Sequence, residues 1–363
     1  MGVQAFHQKK YQLAKSLLLD AIQQDSSPLE NYFYLAQACI QTGAHAEAAD
    51  YLNIYLHRTK DNPIEKTTDI AVANNLLGQC YETMHNHEQA KACYKMSTQL
   101  NPMAPLPWYR LGLFYAKSAQ QYIDIHLAPI VWQLQQAYIQ LTLMLEVTTH
   151  YPRFIKCLQI CLEQHIDALQ KQETLANQQV DNAFKSAIQY HYQALNACTQ
   201  DEPLKATIRL HLTEVPAQYG HYLYKNQDYT NAQKYYSQAL KFDPDHLVTL
   251  NQLGMCYLKK EIFLEARAYF AEIIDRANEK QMKADAWYNI AITYRLQKNW
   301  RKAANCLREA KLLAPHDTTI LDEEQHLRHL VSTTFFTSTK FKTFLHSKKP
   351  VPEETETEHE YHP

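Results

Sequence analysis

The stretch Trp287-Tyr288-Asn289-Ile290-Ala291-Ile292-Thr293-Tyr294 decides the fold of this 363-residue chain. Its rings and apolar residues stand at positions i, i+3, i+4 and i+7, which share one face of an α-helix. Ala291 is the small residue on that face, and a small residue allows a second helix to approach closely. Apolar residues then continue at helical spacing until Pro315. The segment therefore predicts two packed antiparallel helices.

The same pattern recurs along the chain with a period of about 34 residues, a length typical of helical repeat arrays. Gly78 and Gly112 stand one such period apart. Gly220 and Gly254 have the same separation, and Ala291 follows after a slightly longer interval. In most units an alanine stands twelve residues after the small residue, with a ring three residues before it and a large apolar residue four after it. These alanines are Ala14, Ala48, Ala90, Ala232, Ala266 and Ala303.

This pattern resembles the tetratricopeptide repeat family, whose unit of about 34 residues is a pair of antiparallel helices. The resemblance implies an all-α fold, a right-handed superhelix of helical hairpins with a concave inner face. We assign repeat blocks to residues 1–116, where the first repeat is incomplete, and to residues 213–317, which hold three repeats. Residues 117–212 read as helical without the repeat signature. We interpret them as diverged hairpins that link the blocks, or alternatively as a separate small helical domain.

The two ends of the chain differ from the regular units. Gly2 stands at the eighth place of its repeat, so the chain is expected to begin inside a repeat. Either sequence precedes it in a longer array, or the half-unit serves as a cap. Residues 318–331 are predicted to form a capping helix. Residues 332–363, basic and then acidic after Pro352, are predicted to be disordered.

Composition narrows the classes of function. Lysine and arginine number 36 and aspartate and glutamate 38, so the net charge of −2 gives no general attraction to nucleic acid. The most apolar segment, residues 125–147, contains four glutamines that a membrane-spanning helix would bury at high cost. The eight cysteines form no Cys-x-x-Cys pair and read as small buried thiols, Cys157 and Cys161 included. We therefore expect a cytoplasmic protein without a membrane span.

Catalytic and metal-binding signatures are missing from the sequence. None of Gly-x-Gly-x-x-Gly, Gly-x-Ser-x-Gly or His-Glu-x-x-His occurs. We predict no enzyme activity, no catalytic residues, no metal and no cofactor. An enzyme site in the middle segment is the weaker alternative, because Asp124, Glu146 and Glu163 form no evident constellation.

The candidate binding residues follow from helix geometry. If places 4, 7, 8 and 11 of each first helix contact its second helix, then places 2, 5, 9 and 12 line the concave face. Amides there can bond an extended peptide backbone, and rings and methionine can accept side chains. The candidates for a peptide-binding groove are Asn75, Gln79, Tyr109, His221, Tyr224, Asn251, Met255, Tyr288 and Arg295.

The same places indicate what kind of partner to expect. Our leading hypothesis is an adaptor or scaffold that binds a protein or peptide partner. Some tetratricopeptide repeats hold the C-terminal carboxylates of heat-shock chaperones with lysine, asparagine and arginine, and only Arg110 matches that set. Chaperone C-terminal peptides are therefore disfavoured. The alternative is a bacterial effector translocated into a host cell, since the acidic tail resembles type IV secretion signals.

Overall fold

The computed structural model describes residues 1–23, 28–60, 67–146 and 152–337, and these ranges contain helices and no strands. The α-helices within them are α1 (Gly2–His7), α2 (Tyr11–Ile22), α3 (Glu30–Gln41), α4 (His45–Lys60), α5 (Thr67–Thr83), α6 (His87–Leu100), α7 (Pro105–Gln121), α8 (Ala128–Glu146), α9 (Pro152–Ala197), α10 (Glu202–Lys225), α11 (Tyr229–Leu240), α12 (Leu247–Lys259), α13 (Phe263–Arg276), α14 (Lys280–Leu296), α15 (Trp300–Leu313) and α16 (Thr318–Thr337).

The chain divides into two compact units. The first consists of Met1–Leu223 together with Ser237–Pro244, and the second of Tyr224–Tyr236 together with the described residues from Asp245 onward. Within each unit, consecutive helices pack as hairpins: α1 with α2, α3 with α4 and α5 with α6 in the first, and α12 with α13 and α14 with α15 in the second. The predicted all-α fold of stacked helical hairpins is confirmed.

The small residues lie at the helix crossings that the repeat pattern predicts. A Cβ atom added at Gly78 would lie 2.7 Å from Cε1 of Tyr94, and one at Gly254 would lie 2.7 Å from Cε1 of Phe270. Both distances are below van der Waals contact. The large residue of each second helix therefore occupies the space that the glycine leaves open.

The turn between first and second helix has a similar conformation in several units. Gly43 adopts a positive φ of 80° there, in the left-handed region that glycine enters at no steric cost. Other units place a non-glycine residue at the same point with φ between 58° and 63°. These residues are Lys9, His85, Gln227, Glu261 and Lys298. These turns therefore carry a backbone cost that glycine would remove.

One repeat of the first unit has greatly lengthened helices. α7 continues through a π-helical segment, Tyr122–Leu127, directly into α8. The chain then returns along α9, a helix of 46 residues. Gly112 of α7 lies against the imidazole of His191, and Trp108 stacks on Tyr190. The C-terminal part of α9 is therefore the second helix of the repeat that α7 opens.

The expectation that the middle segment lacks the repeat signature is wrong at its end. Phe184, Ala187 and His191 repeat the ring, alanine and large residue of the other second helices, and Ala194 continues the buried face. In the regular units the alanine follows the small residue by twelve positions, whereas Ala187 stands far beyond that distance from Gly112. The additional residues lengthen both helices between the first half of the signature, on α7, and the second half, on α9. A search at a fixed period of about 34 residues therefore does not detect the second half.

Two predicted boundaries differ from the helix bounds of the structure. α10 begins at Glu202, eleven residues before the predicted start of the second block at 213. α16 continues to Thr337, so the first residues of the predicted disordered tail are helical. Residues 338–363, which include the acidic segment, lie outside the described residues.

The described cysteines are buried as predicted, except that Cys93 is half-buried and Cys161 is exposed. Burial raises the pKa of the Cys80 and Cys93 thiols to about 11 and that of Cys256 to about 12. Cys161 is exposed, because its part of α9 is covered on one side only. The side chain of Cys157 lies outside the described residues.

Candidate functional site

The first unit carries four of the predicted binding residues on its first helices. Gln79 of α5 and Tyr109 of α7 are half-buried, and His221 of α10 is exposed. Asn75 is buried, and its amide oxygen has no hydrogen-bond partner among the described residues. Asn75 is therefore less accessible than the repeat pattern predicts.

Arg110, on the first helix α7, is paired with a carboxylate of the same unit. Nη1 of Arg110 lies 3.5 Å from Oε2 of Glu82. The hydroxyl of Tyr94 donates to the same carboxylate oxygen at 2.7 Å. Glu82 thus contacts both the half-buried Arg110 and the buried ring of Tyr94 beside Gly78. Arg110 therefore has a carboxylate partner before any ligand binds.

The ring of Tyr109 packs against two histidines, His191 and His211, which the repeat pattern does not predict as its neighbours. Its ring centroid lies 5.8 Å from that of His191 and 5.6 Å from that of His211. Burial raises the pKa of Tyr109, against a smaller opposite effect of Arg110. Nδ1 of His211 lies 3.3 Å from Oε2 of Glu214. The sequence pattern missed this cluster because His191 lies beyond the lengthened part of the hairpin.

The second unit carries the other five predicted binding residues, Tyr224 and Arg295 among them. Asn251 and Met255 stand one turn apart on α12, and Tyr288 stands on α14. Asn289, the neighbour of Tyr288, donates from Nδ2 to Oδ1 of Asn251 at 3.0 Å. Tyr224, also half-buried, forms an edge contact with the ring of Tyr229 at 5.4 Å. Amides, rings and a thioether are therefore half-buried together on the first helices of this unit.

Arg295, the predicted binding cation of the second unit, is also paired with a carboxylate. Nε of Arg295 lies 2.5 Å from Oε1 of Glu323, which α16 supplies. Burial raises the pKa of Tyr288, and the nearby Glu323 carboxylate acts in the same direction. The sequence pattern identified Arg295 but missed Glu323, since α16 lies outside the repeat signature.

Comparison with models of known protein families identifies the family of this chain. Tetratricopeptide repeat models match residues 2–63, 71–102, 217–246 and 245–311, which together make up more than half of the chain. The chain belongs to the tetratricopeptide repeat family. The repeat opened by α7 falls outside every one of these matches, in agreement with its lengthened helices. The curated proteins contain no significant match to the chain.

Solved tetratricopeptide repeat structures resemble the chain at low identity. One is the C-terminal part of a repeat-containing protein from Cytophaga hutchinsonii, with 13% identity, a TM-score of 0.45 and coverage of 88% of this chain and 97% of that one. Another is YrrB, a tetratricopeptide repeat protein with an unusual peptide-binding site, with 17% identity, a TM-score of 0.36 and coverage of 74% and 96%. A third, from Parabacteroides merdae, has 12% identity, a TM-score of 0.35 and coverage of 90% and 96%.

Tetratricopeptide repeats in general mediate protein–protein interactions and are typically non-catalytic. Within residues 1–23, 28–60, 67–146 and 152–337, no three histidine, cysteine or acidic side chains come together as metal ligands. The helices of the same ranges are too short or too polar to cross a bilayer.

Proposed function

We propose that this chain is a protein-interaction scaffold that binds an extended, largely uncharged segment of a partner protein on the first-helix face of its second unit. The strip formed by Asn251, Met255 and Tyr288 carries this proposal, with Asn289 beside it. It combines amide groups with a ring and a thioether, and all of these side chains are half-buried. Such a strip suits a peptide whose backbone bonds to amides and whose apolar side chains contact the ring and the thioether.

The asparagine pair supports recognition of a peptide backbone. Oδ1 of Asn251 accepts from Asn289, so Nδ2 of Asn251 keeps its hydrogens for a carbonyl oxygen of a ligand. Oδ1 of Asn289 keeps its acceptor capacity for a ligand N–H group. One amide pair can therefore offer both a donor and an acceptor, which is what an extended backbone requires.

The charges argue for an uncharged ligand rather than an acidic one. Arg295 is paired with Glu323 in the second unit, and Arg110 lies beside Glu82 in the first. Capture of a C-terminal carboxylate needs unpaired cations. These pairs support our proposal that C-terminal peptides of heat-shock chaperones are not the ligands. The half-buried ring of Tyr109 makes the first unit a second, weaker candidate face.

The proposed setting is the cytosol. Cys80, Cys93 and Cys256 are free thiols, and so are the other cysteines whose side chains the structure describes. Free thiols are typical of a reducing compartment. The proposal includes no catalytic role and no cofactor. The segment behind the effector hypothesis lies outside the described residues, so no structural feature favours that hypothesis.

Selection from a phage-displayed library of random peptides tests the proposed face. Peptides that bind the full chain should lose at least tenfold in affinity with Asn251→Ala and with Tyr288→Ala, measured by fluorescence anisotropy. The matched control is Asn305→Ala, which removes an exposed amide from α15 and should leave binding unchanged. Equal affinity of all four proteins for the selected peptides would show that the strip on α12 and α14 is not the site.

A further inference from the structure

The lengthened hairpin has its own small core. Leu134 and Ala137 of α8 are buried against Ile166 and Leu169 of α9. At a rise of about 1.5 Å per residue, the 19 residues of α8 extend this hairpin by about 28 Å. Among the described residues, the main helix contacts of α8 are with α9 and with the π-helical segment before it. One face of α8 is therefore covered, and no described helix packs closely on the opposite face.

The open face carries a second apolar seam. Trp132 and Ile139 of α8 stand seven residues apart, and Leu143 follows four residues later. Their side chains are 61%, 52% and 55% exposed, respectively. With Gln136, the spacing from Trp132 onward is four, three and four, which is the spacing of a coiled-coil seam. Two helices pack side by side along such a seam.

The seam lies on a stretch of chain without acidic or basic side chains, so it offers no ion pair to a charged partner. Between His126 and Glu146 the chain contains no aspartate, glutamate, lysine or arginine. A two-fold contact places the same surface on both sides, so a helix with charges of one sign along its seam would set like charges against each other. An uncharged helix avoids that repulsion. The composition of α8 thus favours contact with an identical helix.

We propose that a second copy of this chain covers the seam, with the two α8 helices packed antiparallel about a two-fold axis. Trp132 of one copy then faces Leu143 of the other, and Ile139 faces Gln136. The two hairpins together form a four-helix bundle, in which each Gln136 faces Ile139 of the other copy and this pairing defines the register.

The exposed area agrees with a contact of this kind. The three apolar side chains present on the order of 350 Å² per copy, which is within the range of functional surface patches. The glutamines beside them on α8 extend the contact toward the about 800 Å² per partner of a standard interface.

Sedimentation velocity of the full chain tests this proposal. At tens of micromolar we expect a species of twice the 42.3 kDa chain mass. Ile139→Glu should raise the dissociation constant at least thirtyfold, because it places two carboxylates in the seam. The matched control is Leu175→Glu on α9, which changes a side chain of similar exposure, 58%, away from the seam and should leave the dimer intact. Circular dichroism should show equal helicity in all three proteins.

Two results would contradict the dimer. A wild-type chain that sediments at 42.3 kDa over the whole concentration range would overturn the proposal and leave the seam to a different protein. A dimer that survives Ile139→Glu as well as it survives Leu175→Glu would place the interface elsewhere and also overturn it.

A pair of charges tests the register. In the antiparallel arrangement, position 136 of one copy faces position 139 of the other. The double variant Gln136→Glu/Ile139→Lys should therefore dimerise at least tenfold more tightly than Ile139→Lys alone, and this gain should disappear in high salt. Equal affinities of the two variants would rule out the antiparallel register.

Discussion

The buried histidine beside Gly112 should make the lengthened repeat sensitive to acid. His191 is fully buried, and its Nδ1 donates to the carbonyl oxygen of Ala187 at 2.8 Å. Its Nε2 has no partner among the described residues. Burial lowers the pKa of His191 to about 4; the hydrogen bond to Ala187 opposes this effect, and the neighbouring His211 adds to it. The imidazole is therefore neutral in the folded protein.

The size and sign of the effect follow from the two states. The pKa of a histidine in an unfolded chain is about 6.5, so the unfolded state binds a proton that folded His191 rejects. The free energy of unfolding is unaffected above pH 6.5 and falls as the pH drops toward 4. The full loss is about 3 kcal/mol, of which about 2 kcal/mol is already lost at pH 5. That loss corresponds to about a thirtyfold change in the opening equilibrium.

Hydrogen–deuterium exchange of α7 and of residues 184–198 measures this locally. Between pH 7 and pH 5, after correction for intrinsic exchange, protection should fall about thirtyfold in the wild-type chain. In His191→Phe, which keeps a ring against Gly112 without a titrating group, protection should change little. His165→Phe, on an exposed part of the same helix, should behave like the wild type. If the wild type and His191→Phe lose protection equally, the acid sensitivity has another origin.

Three further predictions concern the regular repeats and the cysteines. Gly254→Ala should lower the free energy of unfolding by about 1–3 kcal/mol, because the new methyl group would lie 2.7 Å from the ring of Phe270, and urea denaturation would measure it. Glu261→Gly should raise the unfolding free energy by about 1 kcal/mol, because φ there is 59°, and a variant with an unchanged or lower melting temperature would contradict this. In the native chain at pH 8, Cys161 should react with an aromatic disulfide reagent within minutes, whereas Cys256, with a pKa of about 12, should react only on unfolding.

The sequence revealed the fold wherever both halves of a repeat lie within one regular period. The spacing alone predicts helix crossings at Gly78 and Gly254, and the structure confirms both crossings. The spacing succeeds because two antiparallel helices joined by a short turn must touch at a fixed separation along the chain. Gly112 was recognised as the start of a repeat, but its partner His191 was not. A search for the half-signature of Phe184, Ala187 and Ala194 without a fixed period would have found it.

The candidate faces were less predictable than the fold. Helical geometry placed Asn251, Met255 and Tyr288 on one side of their helices, and in the structure they are half-buried there. Geometry could not show that Glu323 pairs with Arg295, because α16 carries no repeat signature. It also could not show that Asn75 is mostly covered, since the burial of a side chain depends on the size of its neighbours and not on its place in a repeat.

The lengthened hairpin also has a consequence for the order in which the molecule folds. The chain segment between Gly112 and His191 is several times longer than the one between Gly78 and Tyr94, although both pairs meet at a helix crossing. Closing the longer segment costs about 1.4 kcal/mol more in chain entropy. We expect the hairpins before it to nucleate first and the α7–α9 pair to join them late, with a rate set by how quickly the distant end of the hairpin forms.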